Sequence, residues 1–333
     1  MPTRRASSSL LVTAAVATAL ALLGACAPGG AEPHASASPT STLPAPTTDR
    51  TLRTLIDEPT APGALTVRGE RLGDGTPFRR LDVTYPSGDL TISGILDLPA
   101  GDGPFPVVVF VHGYQPPREY EPSTSALGMQ SALVAAGYAV LATDLRNYGS
   151  SSPDPERMPD MEVGATQDVV AALGAVAAGG VPELDPDRVA LVGHSQGGRI
   201  SLNTAVVAPE AMDAVVAISP SSAVPWQNVE KFMQVALDPA GELGTRGNPQ
   251  VQPQFWTDVT TTTFADRAHM PVLVLQGDAD EVVDPAWAST TVAAWNAAGG
   301  DARLVVLPGA NHALEPTFDD AMRQVVEFLD GHR

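Results

Sequence analysis

Ser195 is the residue of this chain with the clearest chemical signature. It lies in Val189–Gly198, where an apolar, strand-like run meets the pattern glycine, any residue, Ser195, any residue, glycine. Arg199–Leu202 follow and can continue as a helix. A serine on such a sharp strand-to-helix turn holds its hydroxyl exposed above the sheet on a strained backbone. The pattern therefore predicts a nucleophile, with a glycine-rich structural turn as the alternative interpretation.

A serine hydroxyl needs a base to take its proton, and the base needs an acid to orient it. The chain has six histidines. Five of them lie in a tether-like segment, in other motifs, before an apolar strand or beside the C-terminus: His34, His112, His194, His269 and His332. His312 instead follows the strand-like run Ala302–Leu307, on a loop where an α/β sheet presents its chemistry. We predict that His312 is the base, with a solvated loop histidine as the alternative.

The acid is expected between Ser195 and His312, because this chain order accompanies a serine on a strand-to-helix turn. The run Met270–Gly277 predicts a buried strand. Four carboxylates follow it within eight residues: Asp278, Asp280, Glu281 and Asp284. An acidic cluster also suggests Ca²⁺, but the spacing does not follow an EF-hand loop, so we predict no metal. The residues by themselves leave the choice of acid open.

Together these motifs resemble the α/β-hydrolase superfamily over roughly residues 80–333. That superfamily usually has G-x-x-D-x-x-V after the strand that precedes the acid, and here the pattern falls on Gly277, Asp280 and Val283. The resemblance therefore implies that Asp280 is the acid, with Asp278 as the second choice.

The resemblance also implies a site for developing negative charge. The buried run Phe105–Phe110 leads into a His-Gly turn that is typical of the superfamily, followed by Tyr114. By this likeness, the backbone N–H groups of Tyr114 and Gln196 form the oxyanion hole, and a preorganised donor of this kind lowers the barrier by about 3 kcal/mol. His112 is expected to support the loop by hydrogen bonding.

The order of the predicted elements agrees with this likeness. Further strands are predicted at Ala139–Ala142, Ala214–Ser219 and Ala302–Leu307, and a helix at Gly164–Ala178. Three stretches with shorter, alternating patterns predict antiparallel edge strands: Thr66–Arg71, Arg80–Pro86 and Leu90–Leu98. An apolar stripe predicts a final helix on the sheet: Phe318, Met322, Val325, Val326 and Leu329. The expected fold is α/β, a mostly parallel sheet with antiparallel edge strands and helices on both faces.

Within the superfamily, the edge strands resemble prolyl-oligopeptidase-type catalytic domains and dienelactone-hydrolase or acetyl-xylan-esterase-like enzymes. This likeness implies a serine hydrolase that cleaves carboxylic esters through an acyl-enzyme. A serine peptidase is the alternative, although fewer than 100 residues precede the hydrolase strands, which is too few for a propeller. A remote alternative is a non-catalytic surface binding protein, which the intact triad disfavours.

A long connection separates two of the predicted strands, at about residues 220–269. It is longer than a helical crossover needs and rich in aromatic residues. We predict a small cap in which Trp226 and Trp256 line the substrate pocket. The alternative is that these rings form only the insertion's own core.

The N-terminus predicts export. Arg4 and Arg5 precede the apolar run Leu10–Leu23, as in a secretory signal, and Leu23–Cys26 resembles a bacterial lipobox. We expect residues 1–26 to be a lipoprotein-type signal peptide and Cys26 to anchor the protein to the outer face of the membrane. The alternatives are secretion after cleavage behind Ala27 and an uncleaved anchor. Residues 27–50 are rich in proline, serine and threonine and predict a disordered tether, and residues 51–333 the hydrolase domain.

Composition excludes several other classes of protein. The net charge of −19 and pI near 4.5 disfavour nucleic acid, whose phosphates would be repelled. The chain has one lysine, Lys231, and no P-loop, dinucleotide fingerprint or zinc-ligand spacing. We therefore expect chemistry without a cofactor, on a small-molecule ester or peptide.

Overall fold

The computed structural model describes residues 50–71, 76–122, 126–154, 162–233 and 247–332. The predicted signal peptide with Cys26, and the predicted tether up to residue 49, lie outside these ranges. The described strands are β1 (Thr66–Arg71), β2 (Arg79–Ser87), β3 (Leu90–Leu98), β4 (Phe105–Val111), β5 (Ala139–Thr143), β6 (Leu184–His194), β7 (Ala214–Ile218), β8 (Val272–Gly277) and β9 (Ala302–Leu307). The described helices are α1 (Leu52–Asp57), α2 (Leu127–Ala135), α3 (Val163–Ala177), α4 (Gln196–Val207), α5 (Pro225–Asn228), α6 (Pro253–Asp258), α7 (Pro285–Ala297) and α8 (Phe318–Asp330). None of these helices is long and apolar enough to cross a membrane.

The strands form one sheet in the order β1-β2-β3-β5-β4-β6-β7-β8-β9. The pairs from β1 to β5 are antiparallel, and every pair from β5 to β9 is parallel. Strands β1, β3 and β9 have the predicted bounds. Strand β8 begins two residues later than predicted, at Val272, after Pro271, which has no backbone N–H to pair.

The valine-rich strand β4 is buried on both faces, as expected of a central parallel strand. Successive side chains point to opposite faces, so Val107 and Val109 belong to one core cluster and Val108 and Phe110 to the other. Helices α3 and α4 contribute to the first cluster, whereas α2 and α8 contribute to the second. The sheet is therefore covered on both sides, as predicted.

The strand order reverses at β4. After β4 the chain passes through α2 to β5 on one side, and then through α3 to β6 on the other side. Such a reversal opens a crevice at the carboxyl ends of the strands, where α/β sheets bind ligands. Gly113 follows β4 and Ser195 follows β6, so both lie at this crevice.

The predicted insertion at about residues 220–269 contains α5, a π-helical turn (Val229–Met233), α6 and a 3₁₀ helix (Thr261–Arg267). Phe255, Trp256 and Phe264 are buried in the same cluster as β4, α3 and α4. The described part of the insertion thus shares the core of the sheet.

Candidate functional site

Ser195 occupies a single-residue turn between β6 and α4. Its backbone is left-handed, with φ 58° and ψ −121°, a conformation that costs energy for any residue but glycine. The surroundings hold this conformation. The Ser195 N–H donates to the Ile218 carbonyl at 2.8 Å, and the Ser195 carbonyl accepts from the Ser221 N–H at 3.1 Å. The turn fixes the direction in which the Ser195 side chain leaves the backbone.

The two glycines of the Ser195 motif permit a close approach. A Cβ atom on Gly193 would clash with the Gly197 carbonyl, and one on Gly197 would clash with the carbonyl oxygens of Val111 and His112. Because these contacts are with backbone, a side chain could not be accommodated by a rotamer change.

His312 contacts Asp280. The His312 Nδ1 and Asp280 Oδ2 atoms are 2.8 Å apart, and the Asp280 side chain is fully buried. Asp280 also accepts from the backbone N–H groups of Val282 (2.8 Å) and Val283 (3.0 Å). Burial raises the pKa of Asp280, but the hydrogen bonds from His312, Val283 and Val282 outweigh it, so the pKa lies below its ordinary value. Asp280 is therefore ionised at neutral pH and orients the imidazole of His312 through its Nδ1 atom.

The second-choice acid makes a different contact. The Asp278 carboxylate accepts from the Gly309 N–H at 2.6 Å and is exposed. Of these two carboxylates, the one that meets His312 is Asp280.

His194 contacts the backbone of the loop that carries His312. The His194 Nε2 atom lies 3.0 Å from the carbonyl oxygen of His312, and the two ring centroids are 4.9 Å apart. Burial lowers the pKa of His194 to about 4, so the ring is neutral at neutral pH and Nε2–H donates to the carbonyl. The sequence pattern places His194 only within the serine motif. Its position directly before the nucleophile was the available signal.

His112 supports the loop after β4, as expected. Its Nδ1 atom lies 2.7 Å from the Gly113 carbonyl and its Nε2 atom 3.1 Å from the Asp144 carbonyl. Burial lowers its pKa. Its ring also packs against Tyr120 and Tyr148, with centroids at 4.6 and 4.9 Å.

Most of the predicted site residues line a single cavity. This cavity of about 650 Å³, called here the Ser195 cavity, is lined by Ser195, His312, Tyr114 and Gln196. Asp280 is behind His312, on the side of Nδ1. The predicted nucleophile, the predicted base and both predicted oxyanion donors therefore share one space at the carboxyl ends of β4 and β6.

The predicted pocket tryptophans lie elsewhere. Neither Trp226 nor Trp256 is among the described residues that line the Ser195 cavity. Their rings meet edge to face at 5.0 Å, and the Trp256 Nε1–H donates to the Gly247 carbonyl at 3.1 Å. Trp256 belongs to the core cluster that the insertion shares with the sheet, and Trp226 packs against that cluster, so the rings are part of a core wider than the insertion's own. From the insertion, Phe232 and Met233 line the cavity instead.

Glu162 is a lining residue that sequence analysis missed. Its Oε1 atom accepts from the Gln196 Nε2 at 2.7 Å, and its Oε2 atom pairs with the buried Arg199 guanidinium. Gln196 and Arg199 lie more than 30 residues from Glu162 in the sequence, so no local sequence pattern predicted these contacts. The described residues contain no group of three or more His, Cys, Asp or Glu side chains that could hold a metal ion.

The sequence profile of the alpha/beta hydrolase family matches residues 108–328. The chain belongs to this family. This match, together with the observed sheet, confirms the predicted fold class.

Two curated relatives match part of the chain. The quorum-quenching protein AidA of Acinetobacter baumannii is 32% identical over 132 residues, which cover 40% of this chain and 41% of AidA. The sn-1-specific diacylglycerol lipase ABHD11 of Mus musculus is 29% identical over 136 residues, 40% of this chain and 39% of the lipase. The chain thus spans about two fifths of the length of each of these two relatives.

Solved structures with a similar fold include several esterases. Acetyl xylan esterase 1 from Thermoanaerobacterium superposes with a TM-score of 0.61 at 22% identity, covering 84% of this chain and 92% of the esterase. Est1E from Butyrivibrio proteoclasticus, solved with ferulic acid, gives 0.58 at 19% identity, covering 75% and 98%. A puromycin-hydrolysing peptidase from Mycobacterium tuberculosis gives 0.60 at 22% identity, covering 73% and 37%. At these identities the likeness shows the fold alone.

Proposed function

We propose that the protein hydrolyses carboxylic esters with Ser195 as nucleophile, His312 as base and Asp280 as the orienting acid. The observation that carries this proposal is the 2.8 Å contact between His312 Nδ1 and Asp280 Oδ2, made by a histidine that lines the same cavity as the strained Ser195. The Asp280 contact favours the tautomer with a proton on Nδ1, which leaves Nε2 free to accept the serine proton.

The reaction proceeds in two halves. Ser195 Oγ attacks the ester carbonyl carbon while its proton passes to His312 Nε2, and the carbonyl oxygen becomes an oxyanion. The backbone N–H groups of Tyr114 and Gln196 stabilise that charge. His312 then gives the proton to the departing alcohol oxygen, which leaves an acyl-enzyme. Water gives a proton to His312 Nε2 and attacks the acyl carbon; the bond to Ser195 Oγ then breaks, and His312 returns the proton to Oγ as the acid leaves.

The names of the relatives favour esters over amides. A diacylglycerol lipase and two esterases are similar to this chain, and one structural neighbour is a peptidase. Glu162 bears on the peptide alternative, because both of its carboxylate oxygens already have partners, Gln196 and Arg199. It is therefore poorly suited to bind the free amino group of a peptide.

The test compares esters with amides in the full chain. We expect turnover of p-nitrophenyl butyrate, little turnover of aminoacyl and prolyl anilides, and labelling of Ser195 by a fluorophosphonate. Faster cleavage of the anilides would favour the serine peptidase instead. If Ser195 is not labelled and neither series is cleaved, the non-catalytic binding protein becomes the better explanation.

Export and anchoring are proposed on the sequence alone. A basic start, an apolar run and the lipobox-like Leu23–Cys26 support cleavage before Cys26 and its lipidation. Mass spectrometry of the mature N-terminus tests this. A peptide that begins at unmodified Pro28 would indicate secretion without a lipid anchor.

A further inference from the structure

The Ser195 cavity has charged groups in its wall, and each of them is already paired. Two of the described lining residues carry a formal charge at neutral pH, Glu162 and Arg146. His194 also lines the cavity and is neutral, because burial lowers its pKa to about 4. The partners of Glu162 and Arg146 therefore decide whether the wall attracts a charged substrate.

Glu162 is neutralised by helix α4. Its carboxylate pairs with Arg199, which is 1% exposed, and accepts from the Gln196 side chain. A buried chain of polar contacts also fixes the Glu162 backbone. The Thr166 hydroxyl donates to the Glu162 carbonyl at 3.1 Å, and Asn203 donates to Thr166 at 3.3 Å. The carboxylate cannot turn to a substrate without giving up its ion pair with a buried guanidinium, which is costly.

Arg146 is neutralised by two carboxylates. Its Nε and Nη2 atoms donate to the two oxygens of Asp168 at 2.9 and 2.7 Å, and its Nη1 donates to Asp154 at 2.7 Å. Asp154 is shared with Arg50 at 2.8 Å, so the four side chains sum to zero charge. Burial lowers the pKa of Arg146, but the bonds to Asp168 and Asp154 outweigh it and keep the guanidinium charged and engaged.

The rest of the wall is largely apolar. Apolar side chains from four different segments contribute to it: Leu145, Ala165, Phe232, Met233, Val282 and Val283. The π-helical turn anchors Val229 in the core and presents Phe232 and Met233 to the cavity. The Phe232 ring meets Trp287 of α7 edge to face, with centroids 6.3 Å apart.

From these observations we infer that the Ser195 cavity accepts esters with an uncharged, apolar group larger than acetyl and rejects those whose far end is ionised. This inference rests on the proposed ester hydrolysis. An ionised end would lose its water and find no unpaired counter-charge among the described lining residues. A cavity of about 650 Å³ falls within the range that encloses drug-sized ligands, and an acetyl group would leave most of it to water.

The experiment compares p-nitrophenyl esters matched in chain length. The hexanoate ends in a methyl group, the adipate monoester in a carboxylate and the 6-aminohexanoate in an ammonium group. At neutral pH we expect kcat/KM for the hexanoate to exceed that of both charged esters by ~100-fold. We also expect the hexanoate to exceed the acetate.

Two outcomes separate the inference from the proposed function. If Ser195 is labelled by a fluorophosphonate but the acetate or a charged ester is cleaved as well as the hexanoate, the inference is wrong and ester hydrolysis stands. If no ester is cleaved and Ser195 is not labelled, the proposed function itself is wrong.

Two variants test the wall directly. Glu162→Gln removes a negative charge from the cavity wall, so the adipate monoester should gain relative to the hexanoate. Phe232→Ala should lower the ratio of hexanoate to acetate turnover, whereas Phe328→Ala, a partly exposed ring of α8 outside the cavity lining, should leave that ratio unchanged. Equal ratios in Phe232→Ala and Phe328→Ala would overturn the assignment of Phe232 to the substrate wall.

Discussion

The turns that follow β4, β6, β8 and β9 differ from the insertion between β7 and β8 in how their geometry is fixed. The turns are held by backbone hydrogen bonds and by glycines that admit no side chain, as at Ser195 and Gly197. The insertion is held by side-chain packing of Trp226, Phe255 and Trp256. In the proposed function the turns carry the chemistry, and the insertion supplies part of the cavity wall. Substitutions in the turns should therefore abolish turnover in a protein that still folds. Substitutions in the insertion should instead change the stability of the protein or its selectivity among esters.

The largest effect is expected from Ser195→Ala. Loss of the nucleophile should lower kcat by ~10⁶ in protein that keeps its circular dichroism spectrum, because the triad acts as a unit. Adding His312→Ala should cost little more. If the two losses multiply, the two residues act independently and the triad is wrong.

Asp280→Asn should lower kcat by ~10⁴, because an amide can hold the imidazole in the wrong tautomer. Asp278→Asn is the matched control, since its carboxylate meets the Gly309 N–H and not His312. Steady-state kinetics on p-nitrophenyl butyrate distinguishes them. An equal loss in both variants would point to a general effect of acidic charge on this loop.

In the insertion, Trp256→Ala should reduce the free energy of unfolding by about 3–5 kcal/mol, because it empties a buried aromatic site. Urea unfolding measures this loss. The ratio of kcat/KM between long and short esters should stay unchanged in Trp226→Ala and Trp256→Ala, since neither ring lines the Ser195 cavity. A shift in that ratio would restore the predicted pocket role of the tryptophans.

The smallest effect concerns pH and His194. Its pKa is about 4 in the folded protein against an ordinary 6.5, so below about pH 6.5 the unfolded chain binds a proton that the folded chain does not. Stability should therefore fall as pH drops from 6.5 to 4, by roughly 3 kcal/mol. His194→Gln keeps a donor toward His312 and should lose this part of the pH dependence. An unchanged pH profile of unfolding in that variant would contradict the prediction.

The sequence predicted the turns better than the insertion, for physical reasons. Apolar runs and glycine spacing are local signals, and they predicted the sheet with three strands at the observed bounds. The described helices of the insertion have four to seven residues, too few to show a helical period. Without that period, nothing distinguished Trp226, which packs inward, from Phe232, which lines the cavity. Glu162 and Arg199 lie in distant segments of the sequence, so no local pattern predicted their ion pair.

The π-helical turn at Val229–Met233 has a consequence for how related proteins could diverge. A π turn carries an extra residue relative to the surrounding α-helical spacing. Deleting one residue of this turn before Phe232 would rotate the side chains that follow by about 100° about the helix axis. Phe232 and Met233 would then point in new directions. The backbone bonds that fix Ser195 come from other segments, Ile218 and Ser221, and would remain. A one-residue deletion in a relative should therefore reshape the cavity wall while leaving the backbone bonds of Ser195 intact.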